Sequence, residues 1–253
     1  MNLKDVGLIA ADTSRSRIYL QALIRHNLLP SFILLLENKS SDGQLPGQIS
    51  KNASLPRIIE SYAWNDDWSE IGYDLSITLQ DLIQTNSIKH QFLKSSDINT
   101  SEVIEQIQLR PEPVFIYSGF GGVILRKDLL TCGKKFLHVH GGYLPDYKGS
   151  TTNYFSILAE DQMGASAMLL NEKIDGGPVL YRKKFTAPKD RLAIDHIFDS
   201  AARAKVLILT LQKYLEKNQW HFELENNQGG ETYYIIHPVL KHIAIMANSS
   251  QIS

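Results

Sequence analysis

The sequence predicts an α/β protein with a mostly parallel sheet flanked by helices. A short apolar run at residues 6–10 is followed by apolar residues at helical spacing, and then by the apolar segment SFILLLE at residues 31–37. This strand–helix–strand order implies parallel strands joined by a right-handed crossover. Further predicted strands and helices alternate along the chain, which is typical of this class.

The remaining elements follow from apolar periodicity, capping residues and turn residues. Residues 38–56 are polar and turn-rich, so we expect an exposed loop there. Near the C-terminal end, WHFELE and TYYIIH are joined by NNQGG, which predicts a β-hairpin. Helices are predicted within residues 74–85, 97–110, 120–130, 153–161 and 192–217, and after Pro238. Strands are predicted within residues 111–119, 134–140, 164–171 and 179–185.

The composition excludes several classes of protein. With 43% hydrophobic and 21% charged residues the 253-residue chain has an ordinary globular composition, and its net charge of −1 gives no source of non-specific nucleic-acid affinity. No apolar stretch has the length of a membrane span, and the N-terminus does not have the pattern of a signal peptide. The single cysteine, Cys132, fits a reducing compartment, so we expect a cytoplasmic protein. No glycine-rich nucleotide motif follows the first strand, which disfavours NAD and P-loop chemistry.

Two histidines and one aspartate are the candidate chemical centre. His138 and His140 lie two residues apart at the end of a predicted strand, so both side chains point to the same face. Ligands of open parallel sheets bind beyond the carboxyl ends of the strands, where this pair is expected. Asp175 lies in the turn IDGGP, and a carboxylate beside an imidazole orients the ring and raises its basicity.

The stretch of residues 136–180 resembles the signature region of the formyltransferases that use N10-formyltetrahydrofolate. These include methionyl-tRNA, glycinamide ribonucleotide and sugar N-formyltransferases. The resemblance implies a Rossmann-like sheet. Gly164 stands where the family has the glycine that opens the strand before the aspartate. The other matching residues are His140, Gly142, Leu144, Pro145, Lys148, Gly149, Ile174, Asp175, Gly177 and Pro178.

The resemblance implies that His140, assisted by Asp175, handles the proton of an attacking amine and that no metal is required. One position departs from the family pattern. His138 stands where the family has an asparagine that donates a hydrogen bond to the developing oxyanion. A histidine ring N–H can also donate such a bond, so the role can survive with a changed pH dependence. Alternatively, the substitution marks a different donor or acceptor, or a lost activity.

The same resemblance assigns two groups of binding residues. Phe120, Gly121 and Gly122 correspond to the place where the family holds the folate pterin, and a glycine turn lets a flat heterocycle approach the backbone closely. Tyr143, Lys148 and Ser150 lie in the loop after the catalytic strand and are candidates for contact with the acceptor.

We expect a catalytic domain over residues 1–187 and an extension over residues 188–253 formed by a helix, a hairpin and a helix. The extension contains seven Lys/Arg and seven Asp/Glu residues, a balance that argues against binding tRNA. Its segment QGGETYY is similar to a tail element of sugar N-formyltransferases. The expected acceptor is therefore a small primary amine, and a nucleotide-linked amino sugar is the favoured one. The apolar hairpin is expected to pack on the core or on a second subunit, which points to a homodimer.

Two alternatives stay open. His-x-His with one carboxylate is a known ligand set for zinc or iron, so His138, His140 and Asp175 could instead form the site of a metal-dependent hydrolase. That hypothesis does not explain the Leu144–Pro145 and Gly177–Pro178 matches. The loss of the family asparagine also permits a catalytically altered protein that binds folate without turnover.

Overall fold

Seven strands form a mostly parallel sheet with helices around it, which confirms the predicted fold class. The computed structural model describes residues 3–38, 67–68 and 72–247. The chain divides into two compact units, Met1–His138 and Val139–Ser253. The strands are β1 Val6–Ala10, β2 Ile33–Leu35, β3 His90–Phe92, β4 Val114–Ser118, β5 Lys135–His140, β6 Tyr147–Gly149, β7 Gln162–Leu169, β8 Val179–Thr186 and β9 Glu231–Tyr233. The helices are α1 Ser14–Arg25, α2 Leu79–Thr85, α3 Ser101–Gln108, α4 Lys127–Leu130, α5 Thr152–Glu160, α6 Asp199–Lys217 and α7 Pro238–Met246.

The first unit contains the parallel part of the sheet, in the order β3-β2-β1-β4-β5. Every residue of β1 and β4 is buried, as expected for parallel strands covered on both faces. Helix α1 begins after Thr13, whose side chain accepts a hydrogen bond from the backbone N–H of Ser16. The predicted strand–helix–strand start of the chain is therefore confirmed.

The helices of this unit are shorter than the predicted ranges. Of residues 74–85 only α2 is helical, because Thr78 and Asp81 form a reciprocal capping box and Asp74 accepts hydrogen bonds from Ser76 in a turn. Helix α3 starts after Thr100, within the predicted range. The predicted helix in residues 120–130 is reduced to α4. The predicted loop at residues 38–56 lies outside the described residues apart from Asn38, which is exposed.

The second unit contains the antiparallel pair β7–β8 and the helices α5, α6 and α7. The predicted helix over residues 192–217 is present in three parts: a 3₁₀ turn at Arg191–Ala193, a π-helical segment at Ile194–Phe198, and then α6. The π-helical segment keeps Ile194, Ile197 and Phe198 buried. The last predicted helix is confirmed as α7, with Pro238 at its first position. No helix among the described residues is long and apolar enough to cross a membrane.

The predicted C-terminal hairpin is wrong. Strand β9 pairs in parallel with β6, and residues 220–225 make only an isolated bridge, from Leu224 to Val179. Long-range packing decides this pairing, because the Tyr233 ring stacks on Tyr147 and packs against Phe155. Strand β6 lies in the segment 141–149 that was predicted to be a loop. Of the apolar residues in the predicted hairpin, Ile236 is buried, whereas Tyr234 and Ile235 are 82% and 80% exposed.

Candidate active site

His140 is the last residue of β5 and is 95% buried, with an exposed fraction of 5%. Its Nε2 lies 2.8 Å from the backbone carbonyl oxygen of Tyr147. Because a carbonyl oxygen only accepts hydrogen bonds, Nε2 carries the ring proton and donates it to Tyr147. Gly142 lies beside this hydrogen bond, and a Cβ at Gly142 would overlap both the imidazole and the Tyr147 carbonyl. Glycine at this position therefore lets the Tyr147 carbonyl close over the ring.

Asp175 occupies the turn between β7 and β8 and faces the other side of the imidazole. Its Oδ1 lies 3.4 Å from Nδ1 of His140, and its Oδ2 accepts a 2.7 Å hydrogen bond from the backbone N–H of Gly149. The residue has a φ of +47°, in the left-handed region that aspartate adopts more readily than most side chains. Later in the same turn, a Cβ at Gly177 would overlap the Leu169 carbonyl. Glycine at position 177 therefore allows the turn that presents the Asp175 carboxylate to pack against the end of β7.

The electrostatic setting of His140 favours the neutral ring. Burial lowers the pKa of His140 below its ordinary value of 6.5, although the Asp175 carboxylate acts in the opposite direction. The Arg203 guanidinium, on α6, also lowers this pKa. Arg203 donates to the Val139 carbonyl at 3.0 Å and pairs with Asp199 at 2.8 Å. A cation and two carboxylates therefore surround the end of β5 within the second unit.

This arrangement can accept a proton and stabilise the resulting charge. With the proton of the neutral ring on Nε2, the unprotonated Nδ1 faces Asp175. The 3.4 Å separation is longer than an ordinary hydrogen bond, so Nδ1 is available to a donor that approaches the pair. Protonation of Nδ1 would create an imidazolium beside a carboxylate. The pair thus has the chemistry of a general base with an orienting acid.

The family of the chain is shown by its sequence. Residues 68–205 match the family model described as formyl transferase, which is more than half of the chain and includes His140 and Asp175. The chain belongs to the formyl transferase family. The resemblance identified in the sequence is thereby confirmed.

The curated relatives of this chain include methionyl-tRNA formyltransferases. The methionyl-tRNA formyltransferase of Pelagibacter ubique is 27% identical over 155 residues, which cover 60% of this chain and 43% of that protein. The chain spans less than half the length of the curated relatives it matches.

Solved structures share the fold of this formyl transferase chain. A sugar N-formyltransferase from a Shewanella species aligns with a TM-score of 0.55 at 14% identity, covering 96% of this chain and 87% of that one. The N-formyltransferase of Helicobacter canadensis in complex with folinic acid and dTDP-3-aminofucose aligns with a TM-score of 0.51 at 16% identity, covering 91% and 70%. At these identities the likeness concerns the fold alone.

The third predicted catalytic residue of this formyl transferase chain, His138, has a different environment. It is half-buried in the first unit, with Nδ1 3.4 Å from the carbonyl oxygen of Tyr117 and its ring 6.2 Å from the Tyr117 ring. Tyr117 is buried, and burial raises the pKa of its hydroxyl to about 12. Of the three predicted residues, the structure brings His140 and Asp175 into contact. The role of His138 stays a prediction.

The predicted folate residues form the turn after β4, in the first unit. Phe120 is buried, whereas Gly121 and Gly122 are exposed, and a Cβ at either glycine would meet no atom of the described residues within 4 Å, apart from its chain neighbours. Gly122 has a φ of +76°, so the turn itself requires glycine there.

The predicted acceptor residues lie on the second unit and have protein contacts of their own. The ring of Tyr143 lies under the guanidinium of Arg182, 4.6 Å from the ring centre. Nζ of Lys148 donates to the carbonyls of Asn227 and Gly229 at 3.0 and 2.8 Å. Ser150 is exposed, and its backbone N–H donates to Tyr233. Their contact with an acceptor stays a prediction.

Sequence analysis missed two residues of the site, Tyr147 and Asn227, whereas Gly149 was part of the family match. Tyr147 acts through its backbone carbonyl, which carries no residue-specific signal. Asn227 donates to the carbonyls of Asp175 and Gly177, and its only signal is a polar residue before the glycines of NNQGG. Among the described residues no group of three or more His, Cys, Asp or Glu side chains could hold a metal ion.

Proposed function

We propose that this protein transfers the formyl group of N10-formyltetrahydrofolate to the primary amine of a small molecule. The observation that carries the proposal is the buried pair of His140 and Asp175, in which Tyr147 holds Nε2 and leaves Nδ1 beside the carboxylate. Both residues lie within the stretch that matches the formyl transferase family.

In the proposed reaction, the amine nitrogen forms a bond to the formyl carbon, and the bond from that carbon to N10 of the folate breaks. The amine loses one proton and N10 gains one, so the products are a formamide and tetrahydrofolate. Nδ1 of His140 accepts the proton from the amine, and Asp175 stabilises the imidazolium. The same proton then passes from Nδ1 to N10, which returns the pair to its starting state.

We assign His138 to the oxyanion that develops on the formyl oxygen. Its Nδ1 is within 3.4 Å of the Tyr117 carbonyl, so in the neutral ring the proton on Nδ1 points at that acceptor and Nε2 has none to donate. A protonated His138 keeps the Tyr117 contact and offers Nε2–H as a charge-assisted donor. Oxyanion stabilisation by His138 therefore favours lower pH, whereas proton removal by His140 requires the neutral ring.

We assign the folate pterin to the turn of Phe120, Gly121 and Gly122. The exposure of Gly121 supports this assignment, because a flat heterocycle can lie against a backbone that has no Cβ. Two structures of similar fold were solved with a folate: the N-formyltransferase of Helicobacter canadensis with folinic acid, and HypX of Aquifex aeolicus with tetrahydrofolic acid.

The proposed acceptor is a nucleotide-linked amino sugar. The fold likeness to the sugar N-formyltransferases covers most of their length, and that of Helicobacter canadensis was solved with dTDP-3-aminofucose. The balanced charge of residues 188–253, with seven Lys/Arg and seven Asp/Glu, gives no basic surface for tRNA. The sequence matches to methionyl-tRNA formyltransferases make methionyl-tRNA the competing acceptor.

The homodimer and the cytoplasmic location are also proposals. The side chains of Tyr234, Ile235, Val239 and Met246 are exposed and lie near one another in the chain, which supports the first of these proposals because a dimer interface would bury them. Light scattering on wild type and on Ile235→Lys tests it: loss of the dimer in the variant is expected, and a monomeric wild type contradicts it.

The test of the function is a tetrahydrofolate-release assay with N10-formyltetrahydrofolate and dTDP-3-aminofucose, a UDP-linked amino sugar, or methionyl-tRNA. We expect turnover with a nucleotide-linked amino sugar, and a loss of about 10²–10³-fold in Asp175→Asn, which keeps the shape but removes the charge. Turnover with methionyl-tRNA alone would replace the proposed acceptor. Folate binding without release for any amine would instead favour the catalytically altered alternative.

A further inference from the structure

Asn227 lies beyond the residues that match the family and is 95% buried, with an exposed fraction of 5%. Its side-chain Nδ2 donates to the carbonyl of Asp175 at 2.7 Å and to that of Gly177 at 3.1 Å. The backbone carbonyl of Asn227 accepts a hydrogen bond from Nζ of Lys148 at 3.0 Å, and the same Nζ donates to the backbone carbonyl of Gly229 at 2.8 Å. Asn227 therefore links the turn of Asp175 to the strand that contains Lys148.

The residues after Asn227 contact strand β6, which lies against both His140 and Asp175. Strand β9 pairs with β6 in parallel, and Gly230 lies so close to Pro145 that a Cβ there would overlap its carbonyl oxygen. Strand β6 supplies both backbone contacts of the candidate pair: the Tyr147 carbonyl receives Nε2 of His140, and the Gly149 N–H donates to Asp175. One C-terminal segment, Asn227–Tyr233, therefore contacts both the Asp175 turn and strand β6, whose Tyr147 carbonyl accepts the hydrogen bond from His140.

We propose that Asn227 is a positioning residue of the active site, which keeps the Asp175 carboxylate against His140. This inference rests on the proposed roles of His140 and Asp175. Asp175 has a left-handed backbone conformation that few L residues adopt without support, and the two hydrogen bonds from Asn227 hold the carbonyls on either side of Gly176. Lys148 completes the link from the opposite side.

The direct test compares Asn227→Ala with two controls. Asn226→Ala makes the same change at the neighbouring exposed asparagine, and Ser156→Ala removes a buried side chain with two hydrogen bonds in α5. Formyl transfer to dTDP-3-aminofucose should lose between about tenfold and a hundredfold in kcat for Asn227→Ala, with KM nearly unchanged, because misplaced catalytic groups cost rate more than binding. Both controls should keep the wild-type kcat.

A second readout does not depend on turnover. In protein labelled with ¹³C-histidine, the His140 resonance is assigned by its loss in His140→Asn. We expect the His140 titration midpoint to fall in Asn227→Ala, in the same direction as in Asp175→Asn, because the carboxylate that raises this pKa moves away. The amide of Gly149 should also exchange faster with solvent in Asn227→Ala, and neither control should change either quantity.

A wild-type midpoint and wild-type Gly149 exchange in Asn227→Ala would overturn the inference. If that variant does not fold, Lys148→Met breaks the link at its other end and leaves the buried amide in place. A smaller shift in the same direction is then expected, and no shift overturns the positioning role. Wild-type protein that transfers no formyl group, but whose His140 midpoint falls in Asn227→Ala, refutes the proposed function and retains the positioning of Asp175.

Discussion

The two histidines of strand β5 differ in their burial and in the groups that contact their rings. His140 is buried, with Tyr147 on one ring nitrogen and Asp175 on the other, whereas His138 is half-buried with a longer contact to Tyr117. The Tyr147 contact determines the tautomer of His140, and burial opposes its protonation by lowering its pKa. The difference shows that two same-face residues of one strand can have different environments: the proposed proton acceptor is buried, and the proposed oxyanion donor is half-buried.

Removal of the His140 ring should have the largest effect on the rate of formyl transfer. His140→Asn is expected to lower kcat/KM for formyl transfer by about 10³-fold or more, because no base then receives the proton of the amine. Steady-state rates of tetrahydrofolate release measure this, with His221→Asn, an exposed histidine of the same unit, as the matched control. A loss below about tenfold in folded His140→Asn would remove His140 from the proposed mechanism.

Substitution of His138 should have a smaller effect on the rate, and it should also change the pH dependence of the rate. His138→Ala is expected to cost about 10²–10³-fold in kcat, the usual loss for one oxyanion donor. His138→Asn, which introduces the family's residue, should retain rates within about tenfold of wild type and make the rate less dependent on a protonated group. The pH profiles of kcat for the three proteins decide this. Equal rates for His138→Ala and wild type would show that His138 does not contact the oxyanion.

The smallest expected effect is on stability. His140 is protonated less readily in the folded protein than in the unfolded chain, where its pKa is near 6.5. The unfolded state therefore binds more protons between that value and the lower folded pKa, so stability is complete above pH 6.5 and falls as the pH decreases through this window. The loss amounts to about 1.4 kcal/mol for each unit by which the pKa is lowered.

Urea unfolding of wild type and His140→Gln at several pH values between 4 and 8 measures this contribution. The difference in unfolding free energy between the two proteins should shrink as the pH falls below about 6.5, because the variant has no ring to protonate. A difference that grows on acidification would mean that Asp175 outweighs burial and raises the pKa of His140.

Local patterns predicted most of the first unit. The buried runs of β1 and β4 and the periodicity of α1 are properties of short segments, so they could be inferred without tertiary contacts. The helix in residues 74–85 was predicted too long, because the capping box of Thr78 and Asp81 sets a later start than apolar periodicity alone indicates. The pair of His140 and Asp175 was predicted because its motif is local at each residue and resembles a known family.

The sequence by itself determined the fold class, the family and the two residues at the centre of the site, since each depends on short patterns of apolar, glycine and polar residues. Tertiary structure alone decided that β9 pairs with β6, that the Tyr147 carbonyl selects the tautomer of His140, and that Asn227 holds the Asp175 turn. These contacts join residues separated by up to 84 positions or act through backbone atoms. Their formation depends on packing over long distances in the chain, which no local pattern encodes.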